Sequence, residues 1–259
     1  MSYRTGSVVS ADGTRIVFHT GGDGPPLVIV HGALVPLDVY MALGELLASD
    51  YRVVVVERRD YGGPSGNGPR PATFTTQAFD LAAVLAEVGE PAFVFGHSAG
   101  GLVTLHAMQR DSSSVRGLAL YEPPATLAGP PLRPTLATIR DFMADGRPVD
   151  AVHEFLTAIT DSAPPGFLRR LAESLASRAS GLVADLECLT TMNPDITPWS
   201  GIDIPALLLN GELTDTYGKN SVDLLRSTLP QAHSLELAGQ RHHPDDPVPL
   251  ATALRDFFV

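Results

Sequence analysis

Cysteine is nearly absent from this chain of 259 residues. The single thiol, Cys188, excludes an internal disulfide and any cysteine-based metal cluster. Basic residues are also few, 18 against 29 acidic ones, and the resulting net charge of -11 repels nucleic acid and anionic membrane. No apolar run reaches the length of a membrane span, and Met1-Ser2-Tyr3-Arg4 carries no apolar signal region. These absences point to a cytoplasmic protein, and they suit an exported enzyme freed of its leader equally well. There is no internal repeat or low-complexity tail. Charged residues make up 18% of the chain and hydrophobic ones 44%, so there is enough apolar material for one large core and no sign of disorder. The length suits one α/β domain with an insertion and is too short for two ordinary domains and a linker. Oligomeric state is not readable from any of this.

Short apolar runs without alternation, at Leu27 to Val30, Val53 to Val56, Ala92 to Phe95, Leu118 to Tyr121 and Ala206 to Leu209, predict strands covered on both faces. Helix-like segments fall between them, near residues 37–48, 77–88, 102–109 and 221–229, with a last one at 250–258. Ser7 to Ser10 and Arg15 to His19 flank the turn-rich Ala11-Asp12-Gly13-Thr14 and predict a hairpin. Strand and helix alternate, which predicts an α/β fold with a mostly parallel, doubly wound sheet. The alternation stops between about Pro124 and Pro198, where apolar residues recur at helical spacing (Ile139, Phe142, Met143; Val152, Phe155, Leu156, Ile159; Leu168, Leu171, Leu175). We read residues 124–198 as an inserted helical cap, with residues 1–123 and 199–259 forming the core.

Gly96-His97-Ser98-Ala99-Gly100 lies between the strand at 92–95 and the helix beginning near Leu102. A G-x-S-x-G sequence carries chemistry where a strand must turn sharply into a helix, because the glycines let backbones approach and the serine oxygen projects from the bend. Ser98 is therefore a candidate nucleophile. A serine hydroxyl needs an imidazole to take its proton, and among eight histidines His242 and His243 lie in a polar loop beyond the last predicted strand. A carboxylate to orient that imidazole could come from Glu122, which ends the strand at 118–121, or from Asp215, just beyond the strand at 206–209. Developing negative charge on the substrate oxygen requires preset N–H donors. Ala99, directly after the nucleophile, supplies one, and Ala33, in the loop His31-Gly32-Ala33-Leu34, is the candidate for the second. His31 reads as a structural residue that holds this loop.

Other constellations do not carry chemistry. Gly21-Gly22-Asp23-Gly24 reads as a hairpin connection, not a phosphate cradle, and Arg58-Arg59-Asp60-Tyr61-Gly62-Gly63 reads as a structural loop, not an anion site. His242-His243 lacks the spacing of a metal site. No cofactor is expected, and the expected partner is a small-molecule substrate.

Together, His31-Gly32, Gly96-His97-Ser98-Ala99-Gly100-Gly101, the acid candidates and Gly239-Gln240-x-His242 resemble the α/β-hydrolase superfamily over nearly the whole chain. The likeness is greatest to the small capped serine hydrolases common in actinobacteria, where a loop like Glu57-Arg58-Arg59-Asp60-Tyr61-Gly62 follows the fourth strand and Tyr-Glu-Pro-Pro, here Tyr121-Glu122-Pro123-Pro124, follows the sixth. The resemblance assigns the base to His242, not His243. It also exposes two departures. Thr214 stands where most members carry the acid, with Asp215 one step late, and Glu57 stands where aspartate is more common. Some haloalkane dehalogenases of similar fold carry the acid at the end of the sixth strand, which favours Glu122 and keeps Asp215 as the competitor. A serine nucleophile disfavours the aspartate-dependent dehalogenase and epoxide hydrolase chemistries of the fold.

The reading that follows is a serine hydrolase acting on a small to medium carboxylic ester, lactone or thioester through an acyl-enzyme on Ser98. Its pocket would be built from His31, Gly32 and Leu34 beside the nucleophile and from Phe142, Met143, Phe155, Met192 and Trp199. A biosynthetic, acyl-transfer or C–C bond-cleaving enzyme on the same fold, or a ligand-binding protein that does not turn over, are the competing readings.

Overall fold

A computed structural model describes residues 2–61, 66–243 and 246–258. Gly62 and Gly63, part of the loop singled out above, lie outside the described residues. Eight strands form one sheet: β1 (Arg4–Val9), β2 (Arg15–Gly21), β3 (Pro26–Val30), β4 (Arg52–Glu57), β5 (Ala92–His97), β6 (Val115–Tyr121), β7 (Ala206–Gly211) and β8 (Ala232–Leu237). Their order across the sheet is β1-β2-β4-β3-β5-β6-β7-β8. β1 and β2 form the predicted antiparallel hairpin and β2 is antiparallel to β4, while every pairing from β4 through β8 is parallel. One expectation needs correction: residues 22–25 link β2 to β3, which are not neighbours, so the glycine-rich stretch there is a crossover and not a hairpin turn.

The unalternated runs are buried on both faces because each strand feeds two cores. Leu27, Ile29, Phe93 and Phe95 point to one side, where α1 (Leu37–Leu47) and α9 (Pro247–Phe257) contribute Leu43, Leu47, Leu250 and Leu254. Val28, Val30, Ala92 and Val94 point to the other, against α2 (Phe74–Val88), α3 (Ala99–Arg110) and α8 (Thr216–Thr228). The period of two thus sends neighbouring side chains into different cores, each buried aliphatic contributing about 1.5–3 kcal/mol. Thr73 opens α2 by accepting a hydrogen bond from the Thr76 amide, and Gly89 closes it in the left-handed conformation (φ 77°).

Between β6 and β7 the chain forms four helices, α4 (Arg133–Ala144), α5 (Pro148–Ile159), α6 (Phe167–Leu175) and α7 (Ala179–Thr191), with short 3-10 turns around them. α7 is the inner helix of this group, and buried charges fasten it to the core. The Asp185 carboxylate takes two bonds from the Arg58 guanidinium and one from the Tyr61 hydroxyl, and Arg58 also donates to Gln77 Oε1 at 2.7 and 2.9 Å. Glu187 accepts from Arg70, Arg140 and the Ala72 amide at 2.9–3.1 Å. Arg59 is buried between Asp80 (2.6 Å) and Asp12 (2.7 Å). The arginine loop is structural, as its sequence suggested, and Glu57 before it faces His19 of β2 at 3.7 Å.

Burial pushes the Asp80 carboxyl above its ordinary range even with Arg59 beside it. Removing the guanidinium leaves that carboxyl buried without a counter-charge. Arg59→Ala should therefore lose about 3–5 kcal/mol of folding stability, read as a lower urea midpoint at pH 7. A midpoint within error of the parent would refute this account of the loop.

Candidate active site

In a parallel sheet the strands end on the same edge, so loops far apart in sequence meet there. The loops after β3, β5, β6, β7 and β8 carry Ala33, Ser98, Glu122, Thr214 and His242 in that spatial order. Backbone bonds tie these ends together: the Ser98 amide donates to Tyr121 O at 2.8 Å, and the Glu122 amide donates to Leu209 O at 3.0 Å.

Ser98 sits between β5 and α3 with φ 51° and ψ -125°, a region that side chains rarely occupy. Its neighbours must be glycine. A Cβ on Gly96 would lie 2.7 Å from Thr104 Oγ1 and 2.8 Å from Gly101 Cα, and one on Gly100 would collide with the carbonyl oxygens of Val30 and His31. Glu122 (φ 45°) and Leu34 (φ 61°) are similarly held, so three of the four non-glycine residues with positive φ among those described border this edge.

Ser98 Oγ lies 3.1 Å from His242 Nε2, and His242 Nδ1 lies 2.6 Å from Glu122 Oε2. A carboxylate only accepts, so Nδ1 carries the ring proton and Nε2 is left to accept from the serine hydroxyl. The Gly211 amide donates to Glu122 Oε1 at 2.8 Å and the Thr214 hydroxyl donates to Oε2 at 2.6 Å. Of the two acid candidates, the structure brings Glu122 to the histidine. Asp215 instead accepts from the Asp161 amide at 2.8 Å, while Asp161 accepts from the Thr216 amide and hydroxyl. Asp215 does occupy the N-terminal position of α8, but its side chain makes no capping bond there. Thr214 was legible only as a departure from the usual acid position; its bond to Glu122 gives that departure a structural role.

A second chain of bonds fixes the histidine loop. The Gly32 amide donates to the Tyr40 hydroxyl (2.9 Å), which lies 2.6 Å from His97 Nδ1, and His97 Nε2 lies 2.8 Å from His242 O. A carbonyl can only accept, so Nε2 bears the proton and Tyr40 donates to Nδ1. His31 follows the same logic, accepting from the Arg58 amide at Nε2 (3.1 Å) and facing Gly32 O through Nδ1 (2.8 Å). Burial holds both rings well below the ordinary histidine range, and the Arg58 guanidinium adds to the effect at His31. Tyr40 and His97 had no sequence signal of their own, since a buried tyrosine is ordinary core by pattern.

A cavity of about 600 Å³ opens beside Ser98, lined on one side by Ala33, Leu34 and Ala99 and on the other by helices of the β6–β7 segment. Neither the Ala33 nor the Ala99 amide donates to a protein acceptor among the described residues. Of the expected walls, Leu34 and Phe155 line the cavity, while His31, Gly32, Phe142, Met143, Met192 and Trp199 do not. Phe142 is half-buried beneath the Arg147 guanidinium, and Trp199 packs edge-on against His106. Met143 packs from α4 against the core, Met192 follows α7 with its amide bonded to Cys188 O, and the buried His31 and Gly32 hold the loop behind Ala33. Leucines of α6 and α7 take their place. No cluster of three or more histidine, cysteine or acidic side chains among the described residues is placed to hold a metal, and none of the described helices is long and apolar enough to cross a membrane.

Comparison with known proteins agrees with this fold. The alpha/beta hydrolase family matches residues 27–253. The chain belongs to that family. A pimeloyl-[acyl-carrier protein] methyl ester esterase of Aeromonas hydrophila is 27% identical over 241 residues, covering 86% of this chain and 90% of that one. The crystal structure of an alpha/beta hydrolase from Sphaerobacter thermophilus superposes with a TM-score of 0.86 at 30% identity, over 98% of this chain and all of the other. An enol-lactonase from Burkholderia xenovorans superposes at 0.80 and 18% identity over 98% and 99% of the two chains, a likeness of fold.

The two buried neutral histidines make stability depend on acid. Their folded-state affinity for protons is depressed, so below the unfolded value of 6.5 the unfolded chain takes up protons that the folded chain refuses. His31 and His97 should each cost about 1 kcal/mol of stability between pH 6.5 and 5.5. Urea denaturation across that interval checks the sign: the midpoint should fall on acidification, and a midpoint that rises would contradict the assignment.

Proposed function

We propose that the protein is a cofactor-independent hydrolase of carboxylic esters working through an acyl-enzyme. The observation that carries this reading is the continuous pair of contacts, 3.1 Å from Ser98 Oγ to His242 Nε2 and 2.6 Å from His242 Nδ1 to Glu122 Oε2, in the tautomer that a proton acceptor needs. In the first half, Ser98 Oγ bonds to the carbonyl carbon while its proton passes to His242 Nε2. The oxyanion is held by the Ala33 and Ala99 amides, whose free N–H groups border the same cavity. The C–O bond to the alcohol then breaks, and His242 delivers the proton to the departing oxygen. In the second half, water gives a proton to His242 as it adds to the acyl carbon, and the proton returns to Ser98 as the acid leaves. Glu122 fixes the ring and stabilises its charged form; Gly211 and Thr214 hold Glu122. Residues 124–198 act as the cap over this site in the same reading. The relatives named as a methyl ester esterase and an enol-lactonase lend support to ester chemistry in general.

A fluorophosphonate probe should label Ser98 in the folded protein, and Ser98→Ala should abolish both labelling and p-nitrophenyl acetate turnover. Glu122→Gln should lower kcat by about 10³–10⁴-fold through loss of the ring's orientation, whereas Asp215→Asn should stay within about tenfold of the parent. A larger loss in Asp215→Asn than in Glu122→Gln would return the acid's role to Asp215, equal losses would refute Glu122 as the sole acid, and absence of labelling would favour a binding protein.

A further inference from the structure

The cavity beside Ser98 has two unlike ends. One is closed by Phe74, Leu182, Leu186 and Leu189, all buried. It adjoins the loop that carries Ala33, because Asp185 of α7 takes the Tyr61 hydroxyl's proton bond while the Tyr61 oxygen lies 3.4 Å from the Leu34 amide. The other end is open: Leu213 there is 50% exposed and Arg241 is exposed, and the Tyr217 ring stands 5.6 Å from the ring of His242. The Tyr217 hydroxyl has no protein partner among the described residues. Burial and the nearby Glu122, Asp215 and Asp161 carboxylates push it well above the ordinary tyrosine range, so it stays a neutral donor.

Proton delivery gives the substrate a direction in this cavity. His242 can protonate only an oxygen on its own side of Ser98, so the departing alcohol must occupy the open end beside Tyr217. With its oxyanion held against Ala33 and Ala99, the acyl group is left the closed, leucine-lined end. Charge is unwelcome there. Arg58 and Asp185 at that end satisfy each other, the Arg178 guanidinium stands over the Tyr61 ring at 4.8 Å outside the cavity lining, and Arg241, the one arginine or lysine among the described lining residues, stands at the opposite end. An acyl carboxylate or ammonium in the closed end would lose its hydration without gaining a partner.

On the reading of the site as an ester hydrolase, we propose that the substrate is an ester of an uncharged apolar acyl group of medium length with a compact alcohol, the acyl chain lying along Leu182 and Leu186. A cavity of about 600 Å³ lies within the range of small-molecule sites and suits an acyl group of roughly eight carbons with its alcohol.

Two isomers test the direction without changing the protein, because ethyl octanoate and octyl acetate have one composition and differ in which side of the ester bears the chain. The parent enzyme should hydrolyse ethyl octanoate with kcat/KM about tenfold or more above octyl acetate, several buried methylenes being at stake. Equal or reversed preference overturns the proposal. Leu186→Trp, which fills the closed end, should lower the ratio of ethyl octanoate to ethyl butyrate turnover by about tenfold. A folded variant with the parent ratio overturns the proposal as well. Fluorophosphonate labelling of Ser98 without turnover of either isomer removes this inference and leaves the hydrolase reading standing, whereas absence of both labelling and ester turnover removes the hydrolase reading itself.

Discussion

The bend at Ser98 is held against the preference of its own backbone, and the packing around it makes that conformation stable. A serine at φ 51° costs about 1–3 kcal/mol relative to an ordinary conformation, and nothing within the residue repays it. The neighbours supply the compensation. Gly96 and Gly100 allow α3 to sit against the ends of β5 and β3 at distances that any side chain would prevent, and the Ser98 amide is secured by Tyr121 O. The hydroxyl is thereby presented from a rigid support to an imidazole contributed about 140 residues later. Leu34 and Glu122 are strained in the same sense at the ends of their own strands. The fold concentrates unfavourable backbone geometry where strands stop, and spends the stability of its two flanking cores on maintaining it.

Placement of the acid shows how a shared scaffold tolerates rearrangement. Because β6 and β7 are adjacent and parallel, a carboxylate at the end of either one can face the loop after β8. Here Glu122 at the end of β6 is the carboxylate that meets His242, and the β7 loop supplies two donors, the Gly211 amide and the Thr214 hydroxyl, both to that carboxylate. Asp215 is then available for a different task, the reciprocal link with Asp161 and Thr216 that joins the β6–β7 segment to the start of α8.

Features set by local chemistry were legible in the sequence. Runs such as Val53 to Val56 announce strands buried on both faces, and Gly96-His97-Ser98-Ala99-Gly100 between a strand and a helix announces the bend, because each depends on residues adjacent in the chain. The choice between Glu122 and Asp215 was legible only through the resemblance, which favoured Glu122; local chemistry left both open. Both lie at strand ends, and only the register of β6 beside β7, a long-range property, decides which carboxylate meets His242. The cavity wall was read least well. Helical spacing says that Phe142, Met143 and Phe155 face inward without saying what they face; Phe155 reaches the cavity while the other two pack from α4 against the core. The α7 leucines that line the cavity, Leu182, Leu186 and Leu189, have the same pattern as any buried helix face. Gly21-Gly22-Asp23-Gly24 failed for a related reason: turn residues mark a change of direction, but which strand comes next to which is decided elsewhere.

Among the attachments that fasten the helices between β6 and β7 to the core, two differ sharply in character. At the closed end the Arg58–Asp185–Tyr61 group is buried, and separating it would leave charges in a dry interior at a cost of several kcal/mol. At the open end Asp161, Asp215 and Thr216 meet near solvent, where water can replace each bond as it breaks and the net cost is about 1 kcal/mol per bond. Gly166, in the left-handed conformation at the start of α6, adds a point at which the chain can turn freely. The attachment that costs more to break is therefore the one beside the leucine-lined end of the cavity, and the cheaper one lies beside Asp215 at its exposed end.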